Sequence, residues 1–499
     1  MLSKDTEKLA AVDIGSNSIH LTIAKRQGDK LRRVASMSEK VQLAAGLDEH
    51  DYLSELIQQR GLDCLQRFAG RLADVNASCV RVVATNALRQ AVNSQAFIER
   101  ANEILPVPIE VVSGREEARL IYLGVAHTCP SPRQRLVVDI GGGSTELIVG
   151  QAQMPLLTES AQVGVVGFSQ RFFGDGYIDS HRFERAIYAA QKEIITHANR
   201  YKKVGFAEVI GSSGAIKSIA RAVADFGLGD TITLAAVEQL KASLLSCGHV
   251  DMIDIAGVRA YRKAIFPAGV AILLAVMKVF GIRKMHYCDG ALSEGVMYDM
   301  LSRMDYDDVR DDSVRQLSER FGVDKKQAKR VAKIAESLFE QVREALGLTS
   351  SDKQLLRWAS ILHEVGLAIG HSSYQKHSSY LLKYADMAGF SRTTQEKLSL
   401  LVRYHRRAIR ADDGERIIKT GGKGLLYLAV LLRMSVLVHH GRSDIAKQQL
   451  RLYIIDQEAK SWRIDVRIDR AEHQACVLDL QDDADWLAKW GIALGVMAN

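Results

Sequence analysis

The sequence predicts an α/β protein of two duplicated lobes, followed by an all-helical region and a small α+β tail. Three observations predict it. One glycine-turn hairpin occurs twice, strand and helix patterns alternate between and after the two copies, and beyond Met304 long helical patterns take over with no proline after Pro267.

The first copy is AAVDIGSNSIHLTIAK, Ala10 to Lys25, and the second is LVVDIGGGSTELIVG, Leu136 to Gly150. Asp13 aligns with Asp139, Gly15 with Gly141, Ser18 with Ser144 and Leu21 with Leu147. Each is an apolar run, a tight Gly/Ser turn and another apolar run, the pattern of a β-hairpin rather than of a strand leading into a helix. Between the copies, Leu53 to Leu72 has helical spacing, CVRVVATNALR (Cys79 to Arg89) is a strand turning into a helix, and IEVVSG (Ile109 to Gly114) is a strand before the helical EEARLIYLGVA. HTCPSPRQR, His127 to Arg135, is the expected joint between lobes. The second lobe continues through the strand AEVIG (Ala207 to Gly211), a Gly-Ser turn and a helix, and ends near KMHYCDGALSEGVMYDML, Lys284 to Leu301.

The acidic MDYDDVRDD (Met304 to Asp312) opens the helical region. Asp324 with Gln327 predicts a capping box, Val331, Ile334, Ala335, Leu338 and Val342 form an apolar stripe, and Gly347 is the expected stop. Helices run to about His440, and RLYIIDQEAKSWRIDVRIDR (Arg451 to Arg470) returns to strand alternation. The expected domains are therefore 1–126, 127–305, 306–448 and 449–499. All four tryptophans lie in the C-terminal part.

The 499 residues, 47% apolar and 25% charged, are ordinary globular material with a modest excess of +7, which on its own reads as a soluble surface. Cys64, Cys79, Cys129, Cys247, Cys288 and Cys476 show no CxxC spacing, so neither a zinc site nor a disulfide is expected, and a reducing cytoplasm fits best. MLSKDTEKLA has no apolar signal-peptide core. The apolar runs Pro267 to Met277 and Gly424 to Leu432 are too short to span a bilayer and read as buried core.

A turn of Gly, Ser and Asn exposes several backbone N–H groups in one concavity that an oxyanion can approach. Two such turns on paired lobes, each with an aspartate at the strand end, point to a phosphate cradle. Rival motifs fail: GSSGAIKS (Gly211 to Ser218) has Ile216 where a P-loop needs glycine, and GGGSTE has Glu146 where a dinucleotide fingerprint needs its last glycine. The Gly211 turn, through Ser212 and Gly214, remains a third phosphate contact at a helix N-terminus. Magnesium takes oxygen ligands and keeps several waters, so Asp139 and Glu146 on one hairpin suit it, with Asp13 a third candidate. Glu116 and Glu117 in GREEARL are candidate bases for the attacking water, although acids in a first helical turn are also placed by the dipole, worth ~0.3–1 kcal/mol. Arg89 is a candidate phosphate clamp.

DIGSNS, ATNALR, SGREEARLIYLGV, VVDIGGGSTEL, IGSSGAIK and CDGALSEGV, in this order, resemble the exopolyphosphatase and guanosine pentaphosphate phosphohydrolase (Ppx/GppA) family. The resemblance implies two actin-like (ribonuclease H-like) lobes of the actin, hexokinase and acetate kinase superfamily. It implies Glu117 as catalytic base, Asp139 and Glu146 as magnesium ligands, and Asn17, Ser18, Arg89, Gly142, Gly143, Ser144 and Thr145 as phosphate contacts. At Gly164 to Phe168 the chain departs from the family pattern, with Val165 where relatives carry a small polar residue or cysteine. The helical part resembles a degenerate HD-type domain with His363, His377 and His405. Glu364 stands at its aspartate position, so these histidines are expected to be structural.

From Arg403 to Lys423 seven basic residues face three acidic ones. Such a run usually lies on a solvated face. For an enzyme working along a polyanion it would retain the chain, so Arg403, His405, Arg406, Arg407 and Arg410 are candidates for a polyphosphate channel. HEVG and RYHRRAIR are closer to exopolyphosphatases. The leading expectation is magnesium-dependent, processive release of terminal orthophosphate from inorganic polyphosphate. The alternatives are hydrolysis of guanosine pentaphosphate, a kinase of the same superfamily, or a non-catalytic polyphosphate- or alarmone-binding regulator. A homodimer is implied, with no nucleic-acid partner and at most peripheral membrane association.

Overall fold

Strand β1 (Lys8–Ile14) turns back into β2 (Ile19–Gln27) and β3 (Lys30–Glu39), forming the predicted first hairpin and one further antiparallel strand. The computed structural model describes residues 8–28, 30–305, 308–407, 409–442, 450–456, 461–466, 470–488 and 492–498. Contacts divide the chain into two units, Met1–Asp307 and Asp308–Asn499.

In the first lobe, α1 (Glu55–Leu72), β4 (Val80–Ala84), α2 (Asn86–Gln90), α3 (Ser94–Ile104) and β5 (Ile109–Val111) follow, and the sheet order is β3-β2-β1-β4-β5. Helix α1 buries Leu62, Leu65, Phe68 and Leu72, a three-to-four spacing that lays one face on the sheet. β1 runs parallel to β4, and β4 to β5, and the central strands β1 and β4 are largely buried on both faces, whereas the edge strand β3 is largely exposed and carries Lys30, Arg32 and Arg33.

Helix α4 (Gly114–Thr128) leads to the second lobe: β6 (Gln134–Ile140), β7 (Thr145–Gln151), β8 (Met154–Ala161), α5 (Val165–Phe173), α6 (Ser180–Val204), β9 (Glu208–Ser212), α7 (Ser213–Asp225), β10 (Ile232–Thr233), α8 (Leu234–Cys247), α9 (Phe266–Phe280), β11 (Lys284–Tyr287) and α10 (Leu292–Met304). The order β8-β7-β6-β9-β11 repeats the first sheet, with β10 added at the edge. This repetition is the actin-like duplication. Helix α9 is apolar all round and is enclosed by its neighbours, burying residues from Phe266 through Met277.

Two features fix α4. Its Gly124 meets Gly295 of α10 backbone to backbone, and a Cβ on Gly295 would strike the Leu120 carbonyl. A buried ion-pair set then joins four elements: Asp299 accepts from Arg81 and Arg119 at 2.6 Å each, Arg119 also grips Glu116 at 2.8 Å, and Arg81 grips Glu110 at 2.9 Å. The arginines hold Asp299 far below the usual carboxylate range against its burial. Removing one partner of such a set costs about 3–5 kcal/mol because it strands a buried charge.

Two expectations are corrected here. Cys129, at the end of α4, and Cys288, after β11, form a disulfide across a sequence separation of 159 with Cα atoms 6.6 Å apart. Spacing could not reveal it, because only the packing of α4 on α10 brings the two together. The helices around both apolar runs also extend beyond them: Ala260–Phe280 and Asp412–Leu437 are long and apolar enough to cross a membrane, yet 78% and 67% of their most apolar stretches are buried within the protein.

The second unit contains α11 (Val309–Arg320), α12 (Lys325–Val342), α13 (Ser350–Leu362), α14 (Tyr374–Tyr384), α15 (Arg392–Tyr404) and α16 (Ala411–Leu437), the last broken at Gly421–Gly422. Asp324 caps α12 as expected, but the Gln327 amide donates to the His439 carbonyl instead of closing the box. The helix stops at Val342, and Gly347 (φ 62°) ends a further turn. β12 (Leu450–Asp456) pairs antiparallel with β13 (Ser461–Val466), and after α17 (Arg470–Ala488), β14 (Leu494–Ala498) adds in parallel. The tip of that hairpin, Tyr306 and Asp307 of the acidic opening, Met1 to Glu7, and the side chains of Cys476, Trp462, Trp486 and Trp490 lie outside the described residues.

Candidate active site

Both hairpins close in the same way: the Gly15 amide donates to the Ser18 carbonyl at 3.1 Å and the Gly141 amide to the Ser144 carbonyl at 2.8 Å. The two turns abut. A Cβ on Gly142 would lie 2.9 Å from Ser16 Cβ and 3.2 Å from the Asn17 nitrogen, and one on Gly143 would collide with Asn86 Oδ1. Glycine is therefore required by close approach of the two lobes. Among the described residues, the amides of Ser16, Asn17, Gly142 and Gly143 donate to no protein acceptor. That leaves a row of N–H groups suited to an oxyanion.

The carboxylates gather beside these turns. The register that pairs Asp139 with Glu146 places both on one rung of the second hairpin, where the first pairs Asp13 with His20. Ser160 Oγ donates to Glu146 Oε1 at 2.7 Å. Burial pushes Asp139 up to about 7, opposed by the Ser212 hydroxyl and reinforced by Glu117. Burial, then Glu117 and Asp139, raises Glu146 well above the carboxylate range, and burial with Glu117, Asp139 and Glu294 does the same to Asp13. Asp13 Oδ1 is sealed from solvent without a hydrogen-bond donor. So much negative potential, with an orphaned carboxylate oxygen, fits a bound cation. No three metal-ligating side chains converge among the described residues, but magnesium needs only one or two carboxylates and completes its shell with water and phosphate.

The two acids of α4 separate cleanly. Ser113 Oγ caps the helix at the Glu116 amide; the Glu116 side chain turns into the Arg119 pair, while Glu117 turns toward the cluster. Arg89 Nη1 donates to Glu117 Oε2 at 3.0 Å and to the Val112 carbonyl at 3.0 Å. Burial raises the Glu117 pKa, and Arg89 opposes it. Arg89 is thus first a partner of Glu117.

Other expected contacts are placed as follows. Asn17 Nδ2 donates to Ser18 Oγ at 3.3 Å, leaving Asn17 Oδ1 buried without a partner. Ser144 is buried, and its hydroxyl supports Glu146. The Thr145 hydroxyl is used by the Val163 carbonyl at 2.6 Å and the Ser212 hydroxyl by the Gly290 carbonyl at 2.7 Å, so neither is directed to a ligand. Gly214 lies against the Arg262 guanidinium. Val165 is buried, and its amide donates to the Gly141 carbonyl. Ser160, Asn86 and Arg262 were not singled out by sequence. Asn86 lies within the quoted motif ATNALR and Arg262 in the basic stretch RAYRK, and Arg262 also depresses His20 in addition to that residue's burial.

In the second unit, His363 and His405 come together with ring centroids 5.3 Å apart, and His377 stands apart, partly exposed. His363 Nδ1 pairs with the Ser360 carbonyl at 2.8 Å and His405 Nδ1 with the Val402 carbonyl at 2.6 Å. Burial lowers both pKa values. The expectation that His405 belongs to a surface channel is corrected: it is 1% exposed, and its Nε2 meets the Tyr374 hydroxyl at 3.2 Å. Arg407 and Arg410 are exposed, whereas Arg403 lies over the Tyr404 ring and Arg406 over the Tyr374 ring.

Residues 22–304 match the Ppx/GppA phosphatase family, and residues 309–484 match Ppx/GppA phosphatase, domain III. Among solved structures, the Ppx/GppA family member of Aquifex aeolicus is 23% identical with a TM-score of 0.52, covering 60% of this chain and 98% of its own. An exopolyphosphatase from Cytophaga hutchinsonii is 23% identical with a TM-score of 0.55, over 60% of this chain and 98% of its own. These similarities concern the fold. With a match spanning more than half of its length and a second covering the helical part, the chain belongs to the Ppx/GppA phosphatase family.

Proposed function

We propose that the protein is an exopolyphosphatase that releases terminal orthophosphate from inorganic polyphosphate, with magnesium as cofactor. The reading rests above all on the unpaired amides of Ser16, Asn17, Gly142 and Gly143 lying beside buried carboxylates of raised pKa. Amides of this kind bind the oxygens of a terminal phosphoryl group and stabilise charge as it develops. Asp139 and Glu146 would hold the magnesium, with Asp13 beside them, and the ion would neutralise phosphoryl charge.

Glu117 takes the proton of the attacking water. Its burial makes it a better base than an exposed glutamate, and Arg89 opposes that rise and aims the side chain. Ser160 and Ser144 orient Glu146. Arg262, against the Gly214 turn, would attract the next phosphate along the chain. In the second unit Arg403, Arg406, Arg407 and Arg410 would retain a long substrate, and the active species would be a cytoplasmic homodimer.

The deciding experiment measures phosphate release from polyphosphates of defined length and from guanosine pentaphosphate on one preparation, with Glu117→Gln as control. A higher kcat/KM for the nucleotide than for long chains overturns the substrate assignment in favour of the pentaphosphate hydrolase. Undiminished release by Glu117→Gln overturns the assigned base.

A further inference from the structure

Away from these carboxylates, a cavity of about 440 Å³ opens beside the start of β6, β9 and β11. Its wall includes Cys129, one half of the disulfide, together with Arg133, Arg135, Lys284 and His286. Glu208 is the single carboxylate of the lining and pairs with Arg133 at 3.7 Å. The two cysteines are unequal. Cys129 is partly exposed on the cavity wall, while Cys288 is 2% exposed and its sulfur accepts the Gly290 amide at 3.4 Å.

We propose that Cys129–Cys288 is a thiol-exchange site, opened at Cys129 by an anionic low-molecular-weight thiol that enters this basic cavity. The incoming thiolate bonds to Cys129 Sγ as the protein disulfide breaks. Cys288 leaves with the electron pair as a thiolate, supported by the Gly290 amide, and takes up a proton. A second external thiolate then attacks the outer sulfur of the mixed disulfide, forming a small-molecule disulfide and freeing Cys129. Two external thiols are oxidised and the protein pair is reduced. The pair ties α4, whose first turn carries Glu117, to the loop whose Gly290 carbonyl accepts Ser212 Oγ, so exchange acts on a segment adjoining the phosphate site.

The test uses the full-length chain. Protein equilibrated with glutathione disulfide is alkylated, digested without reduction and mapped by mass spectrometry, and should yield a Cys129–Cys288 cross-linked peptide. Opening is then timed with 3-mercaptopropionate, 2-mercaptoethanol and cysteamine, each rate divided by its thiolate concentration. The anionic thiol should exceed the cationic one about threefold or more, and high salt should compress the difference. The exposed-site variant Lys284→Glu should reduce this preference. In Cys288→Ser, glutathione disulfide should mark Cys129; in Cys129→Ser it should leave Cys288 unmarked. Absence of the cross-linked peptide, a cationic thiol as fast as the anionic one, or glutathione on Cys288 overturns the proposal.

Discussion

Replacing Gly142 with alanine probes the phosphate cradle without touching an ionisable group. Gly142 does not sit at positive φ, so the backbone accepts alanine, and the whole effect comes from one methyl. That methyl would begin 2.9 Å from Ser16 Cβ and 3.2 Å from the Asn17 nitrogen. Carbon atoms rest at about 3.5–4.0 Å, so the turns must part by roughly 0.6–1 Å. An amide-to-phosphate hydrogen bond of ordinary length stretched by that much is no longer one. Losing one bond to a charged acceptor costs about 1.5–3 kcal/mol, which is roughly 10- to 150-fold in kcat/KM. The strain in the fold itself should stay within about 1–3 kcal/mol. Phosphate release and thermal unfolding, measured together, separate the two effects. Unimpaired kcat/KM in a folded Gly142→Ala protein would show that the abutting turns do not bind the reacting phosphate.

Further outcomes follow from the same geometry. Glu117→Gln should lower phosphate release by about 10²–10⁴ while polyphosphate binding survives, checked by single-turnover assay and a binding titration. The Asp139 pKa is raised on folding, so its contribution to stability is complete at acid pH and lost as pH rises through about 7. Without metal, the melting temperature of the N-terminal unit should therefore fall between about pH 4 and pH 7, and magnesium should restore it; a flat profile removes the electrostatic argument. Arg407→Glu with Arg410→Glu should raise KM for long polyphosphate more than for short chains and flatten its salt dependence. An equal effect on all lengths counts against a retaining role.

The hairpins, their aspartates and the lobe duplication were legible because each depends on local periodicity and turn chemistry. Glu117 was distinguished from Glu116 in the sequence only by resemblance; in the fold, Arg119 claims one and Arg89 the other. Ser160 carried no signal, since its partner Glu146 lies across the β7–β8 pairing and any small residue fits the strand pattern. The basic run misled at His405, because Tyr404, His405 and Ile409 are buried while Arg407 and Arg410 face water. The disulfide was invisible for a related reason. Its two cysteines are joined by helix packing and by nothing in the intervening sequence.

The corresponding rung of each hairpin carries a different set of ionisable groups. On the first lobe it bears Asp13 and His20, the latter with its pKa lowered by burial and by Arg262; on the second it bears two acids, Asp139 and Glu146. A near-symmetric pair of grips is thereby electrically lopsided. The duplicated fold thus offers one acid on its first copy and two on its second, so a cation brought between the turns is drawn toward the second.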